Sequence, residues 1–296
     1  MKGGYPPDRN EMDPIRVISE SAIANYESAE CLYFASGCCS SCSLLTQPIG
    51  RRIPTKMQRL LDIFSTSGVS PNTIEEFVIP KHPWGSRHKI KMSVAGTIEA
   101  PMIGIANAEG HTQDLSTCPL MPPRLHSLMP DIKSTIQNAH LIPYDIATRR
   151  GELKGIIVLM NRDGSQGILR FVLRSTEAIP RIRKALPTLH ERHPWLRVTS
   201  CNIQPLHAAI PEGPEELILT SEHTIEEQYA GIPLTFAPQS FMQVTPEIAE
   251  ALYQRAARYV ETLSIHSALD LFCGVGGFSF AIAPFVRKSA GIEISQ

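Results

Sequence analysis

The middle of the chain is dominated by alternation. In GSRHKIKMSVA, residues 85–95, Arg87, Lys89 and Lys91 alternate with His88, Ile90 and Met92. That period of two predicts a strand with one basic face. Thr97 to Asn107 reads as its hairpin partner. Apolar runs at Gly155–Asn161 and Gly167–Leu173 predict two more strands, joined by the turn Arg162-Asp163-Gly164-Ser165. Leu196–Gln204 and Glu216–Thr220 add strands. Pro122–His140 has a helical pattern, and Glu177–Glu191 predicts a basic helix interrupted near Pro187. Ile248, Leu252, Ala256, Tyr259 and Leu263 recur on one face of a helix over Pro246–Leu263, which Pro246 opens well. Successive strands with occasional helices predict an α+β central domain built on an antiparallel sheet.

The pattern changes near the end. Ala268–Phe272 is a short apolar strand, Gly274, Gly276 and Gly277 form a tight loop, and Phe278–Ala283 opens a helix. A second strand, Ser289–Ile294, carries Glu293, 17 residues beyond Gly276. Strand, glycine loop, helix and an acid on the second strand are the first part of an α/β Rossmann-like domain. Glycines let backbone approach a ligand, and the carboxylate stands where ribose hydroxyls bind. The loop is Gly-x-Gly-Gly rather than Gly-x-Gly-x-x-Gly, so the residues predict an adenosine-containing ligand and leave its identity open. Three segments follow: a polar N-terminal extension, 1–29; a central domain, 30–230; and the nucleotide-binding part, 231–296.

Composition adds limits. The 296 residues are 43% hydrophobic and 19% charged, with net charge −1, ordinary for a globular protein. No apolar run approaches a membrane span, and Met1–Glu30 lacks the core of a signal peptide. The expected location is the cytoplasm. Charge is uneven: seven Arg/Lys against two Glu lie in Arg170–Arg197, six Glu and no Lys or Arg in Glu212–Glu227, and Arg51, Arg52, Lys56 and Arg59 form a further basic group. Local patches such as these, or Arg87, Lys89 and Lys91, would have to meet phosphates; solvated faces are the plainer reading. The acidic stretch after Pro211 reads as a surface loop.

The cysteines are the most unusual feature. Cys31, Cys38, Cys39 and Cys42 fall within twelve residues; Cys118, Cys201 and Cys273 are scattered. Clustering of this kind in a reducing compartment points to metal. Cys39 and Cys42 form Cys-x2-Cys, and Cys118 sits in the stiff sequence Thr-Cys-Pro. Four thiolates suit tetrahedral zinc or a [4Fe–4S] cluster. The solitary fourth ligand favours the cluster over a zinc ribbon. Cys39 is preferred to its neighbour Cys38, which stays the alternative. Cys201 and Cys273 lie in apolar settings and read as small core residues.

CLYFASGCCSSC, RHKIKM, STCPLMP, RRGELK, LRFVLRS, RKALP, NIQP, PQSFMQ and LDLFCGVGGF resemble, in this order, segments of the RumB/RlmC-type RNA uracil-C5 methyltransferases. The resemblance runs from about Cys31 to the end. It implies that Cys31, Cys39, Cys42 and Cys118 bind a [4Fe–4S] cluster. It also implies that Gln243, Phe272 and Glu293, with the backbone at Gly274 and Gly276, bind S-adenosylmethionine in a methyltransferase domain. The implied substrate is a uridine of 23S rRNA, held partly by the central domain and with no membrane involved; a monomer is expected. In the family a cysteine thiolate adds to C6 of uracil, C5 takes the methyl group and a base removes its proton. Those residues and an Asn-Pro-Pro motif lie downstream of the second strand, whereas this chain ends at Gln296. The expectation is therefore a truncated chain that cannot methylate. The alternatives are a non-catalytic iron–sulfur RNA-binding module and a zinc protein with a dehydrogenase-like domain.

Overall fold

The computed structural model describes residues 31–68, 77–82, 84–106, 111–207 and 211–294. The extension 1–29, Asn107 and Gln296 lie outside them. β1 (Lys89–Gly96), β2 (Pro101–Ala106), β3 (Thr112–Asp114), β4 (Leu153–Met160), β5 (Gly167–Leu173), β6 (Leu196–Ile203) and β7 (Glu215–Ile218) form one sheet in the order β3-β2-β1-β4-β5-β6-β7. Its pairings are antiparallel except β5 with β6. That one parallel pair was not expected from the sequence. It follows from the helix between the two strands, α4 (Ile179–Arg192), because parallel neighbours need a crossover.

Strand alternation gives the sheet two different faces. Ile90, Met92, Ile156, Val158, Leu169 and Phe171 point to one. There they meet Leu125, Leu128, Met129, Ile132 and Ile136 of α3 (Pro123–Asn138) and Ile182, Leu186 and Leu189 of α4. Ile157, Leu159, Ile168, Val172 and Val198 point to the other. They meet Ile225, Tyr229, Leu234 and Phe236 of the hairpin β8 (Ile225–Tyr229)–β9 (Ile232–Phe236), with Ala249 and Tyr253 of α5 (Pro246–Thr262). The hairpin straddles the 230/231 division. Beyond it, β10 (Ser267–Leu271) pairs in parallel with β11 (Lys288–Ile292) around α6 (Gly277–Ile282).

Two expectations fail. α4 is not interrupted at Pro187; it runs on to Arg192. Proline inside a helix costs about 3 kcal/mol, whereas burying Ile182, Leu186 and Leu189 contributes about 2 kcal/mol each. Packing therefore outweighs the missing hydrogen bond. The acidic stretch is not simply a surface loop either. Arg170, fully buried on the second sheet face between Ile168 and Val172, forms a fork with Glu216: Nε donates to Oε1 at 2.9 Å and Nη2 to Oε2 at 2.6 Å. Its Nη1 donates to Glu212, which also pairs with Lys91. Ser200 and Asn202 complete the shell of Glu216. The acids stand where they do because a buried guanidinium needs counterions.

Candidate cysteine pocket and nucleotide site

The cysteine segment folds back on itself. Cys31 precedes α1 (Leu32–Ala35), and its carbonyl accepts from Phe34 and Ala35 N–H. Gly37, at φ +74, turns the chain, and Cys39 N–H then donates to Tyr33 O at 2.9 Å. Tyr33 Oη bonds Thr117 Oγ1 at 2.6 Å and accepts from Thr117 N–H, which holds the segment against the turn that presents Cys118. His126 fixes that turn through the Cys118 carbonyl at 2.8 Å. As a result Cys31, Cys39, Cys42 and Cys118 line one cavity of about 60 Å³, with Trp84, Ile90 and Met92 behind and Arg87 and Lys91 among its walls. Cys38 is exposed and does not line it. Among the described residues, no group of three or more His, Cys, Asp or Glu is arranged to hold a metal ion.

Electrostatics makes this cavity demanding. Burial, then the neighbouring Cys39 and Cys31, pushes the Cys42 thiol up, against Arg87 and Arg52. Burial also raises Cys118, and the other three cysteines add to it. Four thiolates cannot share this space without a bound cation. Cys201 differs: burial in β6 pushes it to about 12, an inert core thiol as the sequence suggests. Cys273 is half-buried rather than in the core, at the end of β10, where it leaves room only for Gly291.

The nucleotide end forms a clasp. Gly274 and Gly276 have φ +53 and +84, conformations that glycine adopts without penalty. Gly276 N–H closes the loop on Cys273 O at 2.8 Å. Glu293 Oε2, just past β11, accepts from Gly274 N–H at 2.8 Å, so the acid and the glycine loop touch. Phe272 has φ +61 and is 83% exposed at the end of β10. Two contacts that hold the clasp together are not legible in the sequence. Asp270 accepts from Ser279 N–H and Oγ, at 3.1 and 2.7 Å, and so ties strand to helix. Gly277 must be glycine because a Cβ there would enter the Tyr253 ring, which packs edge-on against Phe278 at 4.8 Å. A lone Asp in a strand and a third glycine in a loop carry no signal of these contacts.

Gln243 is half-buried in the segment before α5. Its neighbour Met242 belongs to the same hydrophobic core as Ala281 of α6. The basic strand contributes unexpectedly here. His88 N–H donates to Val244 O at 2.8 Å, and Lys89 Nζ to Ser240 O at 3.1 Å. Burial, then neighbouring Lys91, lowers Lys89 to about 8. With Lys91 on Glu212, the row Arg87, Lys89, Lys91 is not one open face: Lys89 is half-buried, and it and the exposed Lys91 are both paired within the protein, while Arg87 is exposed. None of the described helices is long and apolar enough to cross a membrane.

No family model matches the chain. It is 40% identical over 272 residues to the 23S rRNA (uracil(747)-C(5))-methyltransferase RlmC of Photorhabdus laumondii, covering 90% of this chain and 70% of that protein. RlmC of Edwardsiella ictaluri is 40% identical over 265 residues, with the same coverage. RlmC of Shewanella amazonensis is 40% identical over 266, covering 89% and 68%. Among solved structures, the Pyrococcus abyssi tRNA (uracil-54, C5)-methyltransferase in complex with S-adenosyl-L-homocysteine superposes with a TM-score of 0.58. That match has 17% identity and covers 72% of this chain and 50% of the other. At that identity the likeness speaks for the fold.

Proposed function

The chain belongs to the RlmC family of 23S rRNA (uracil(747)-C(5))-methyltransferases, and from that premise we propose that it binds S-adenosylmethionine at the Gly274–Glu293 clasp and serves methylation of C5 of uridine 747 in 23S rRNA. The observation that carries the proposal is the contact between Glu293 and the glycine loop, in a chain 40% identical to RlmC. Bound there, S-adenosylmethionine supplies an electrophilic methyl group. Glu293 would accept from the ribose hydroxyls. Gly274 and Gly276 would let backbone approach the ligand, Phe272 would lie against an apolar part of it, and Gln243 would donate a hydrogen bond to it. Lys89 and His88 would act on Gln243 indirectly, by tethering its segment.

We further propose that Cys31, Cys39, Cys42 and Cys118 hold a [4Fe–4S] cluster. The fit rests on the donor set: four thiols on one apolar-backed cavity, whose ionisation needs a cation. The cluster would brace the segment between β1 and the 115–121 turn, with exposed Arg87 beside it for RNA.

Two experiments test the nucleotide proposal. Glu293→Ala is expected to weaken S-adenosylmethionine binding by about tenfold to a hundredfold, the loss of charge-assisted hydrogen bonds, measured by calorimetric titration. Unchanged affinity would remove Glu293 from the site. With labelled cofactor and a 23S rRNA transcript, label recovered as 5-methyluridine at position 747 supports the function, and failure of the unaltered protein to bind S-adenosylmethionine overturns it.

A further inference from the structure

α3 and α4 lie side by side over the first sheet face, and a groove of about 420 Å³ runs between them. One wall is a single stripe of α4: Arg181, Lys184, Thr188 and Arg192, three or four residues apart. Ser134 and Asn138 of α3 stand opposite. A second hollow of about 490 Å³ shares Asp131 and Arg192 with the first and continues past Arg124 to Trp195. The two hollows adjoin at Asp131 and Arg192.

Their charge is one-sided. Arg181, Lys184, Arg192 and Arg124 are cationic. The acid in the wall, Asp131, is already taken by Arg192 and by His193 Nε2 at 2.6 Å. Arg181 is anchored by Nη1 on His140 O at 3.0 Å and by Nη2 on Glu177 at 2.7 Å, yet its Nε is buried with no hydrogen-bond partner. A buried donor without an acceptor is unfavourable. From Arg181 to Arg192 the helix rises about 16 Å. A nucleic-acid strand advances about 3.4 Å per nucleotide along its axis. The stripe therefore spans several phosphates, more than any single small anion would occupy.

We propose that the α3–α4 groove receives the phosphodiester backbone of a stretch of the substrate RNA away from the target uridine. It rests on the 23S rRNA reading above, but no residue of the nucleotide site or the cysteine pocket takes part. The groove takes three of the seven Arg and Lys between Arg170 and Arg197, namely Arg181, Lys184 and Arg192, none of which either proposed site uses.

The test is fluorescence anisotropy with a labelled 23S rRNA hairpin containing uridine 747. Lys184→Glu and Arg192→Gln are each expected to weaken binding about tenfold. Each should also lower the slope of log affinity against log salt by about one. Lys56→Glu, the same charge change as Lys184→Glu and twice that of Arg192→Gln, placed on α2 (Ile49–Thr66), should shift affinity less than about twofold, and S-adenosylmethionine titration should be unchanged in all three. Hydrogen exchange on the unaltered protein should show RNA-dependent protection across Arg181–Arg192, which does not depend on any variant folding. Equal RNA affinity in both groove variants, an equal loss in Lys56→Glu, or no protection of α4 overturns the proposal while leaving the family function intact. Displacement of the RNA by millimolar inorganic phosphate would also overturn it, by reducing the groove to a simple anion site. An unaltered protein that binds neither the hairpin nor S-adenosylmethionine sinks the function as well.

Discussion

Arg170→Met is expected to destabilise the protein by about 3–5 kcal/mol, because it leaves buried carboxylates without their partner. Arg170 is fully buried and binds Glu216 through two nitrogens and Glu212 through the third. Removing the guanidinium strands Glu216, whose remaining donors are Ser200 and Asn202. Glu212 fares better, because Lys91 still holds it. Hence Arg170→Met combined with Glu216→Leu should recover much of the loss: the replaced pair is apolar, as buried ion pairs tolerate, and only Ser200 and Asn202 lose an acceptor. Urea unfolding of the two variants beside the parent measures both effects. A single variant within about 0.5 kcal/mol of the parent, the range of an ordinary surface substitution, would show that the network does not hold the sheet.

The same network has a pH signature. Burial opposes ionisation of Glu212, but Lys91 and Arg170 overcome it and hold the carboxyl below its ordinary 4.5. A depressed folded-state value means that the unfolded chain takes up protons first. The contribution of Glu212 is therefore complete above the ordinary carboxylate range and is lost as pH falls through the folded value. Unfolding midpoints should fall on acidification below about pH 5, less steeply in Arg170→Met, which loses one of the two partners.

The second large effect is expected at the cysteines. Cys39→Ser should abolish iron binding, from about four irons per chain to nearly none, whereas Cys38→Ser should leave it unchanged. The two are adjacent in sequence, but Cys39 packs against the first core and lines the cavity while Cys38 is exposed. Anaerobic purification with iron, zinc and acid-labile sulfide analysis provides the measurement. Stoichiometric zinc without sulfide in the parent would replace the cluster by a single ion. Equal iron in both variants would remove Cys39 from the ligand set. Loss of the group should also loosen residues 31–47, whose remaining ties to the 115–121 turn include Tyr33–Thr117, and proteolysis there should quicken.

Much of this molecule was legible because its signals are local. Alternation marked the strands, since a half-buried sheet writes its period directly into the chain. The Gly274–Glu293 unit was legible because strand, tight turn, helix and strand follow one another without interruption. The four cysteines stood out by number and spacing. What the sequence by itself determined, then, was the order of elements, the two kinds of domain and the residue types that carry chemistry. Only the tertiary structure decided what depends on distant partners. It separated Cys39 from Cys38 by burial, turned Lys89 and Lys91 from an open basic face to Ser240 and Glu212, and matched the acidic run after Pro211 to Arg170. It also carried α4 through Pro187, because three buried side chains outweigh one lost hydrogen bond. In each case the deciding energy comes from a contact between segments far apart in the chain. A charge or a proline read along the sequence carries no record of the surface it will meet.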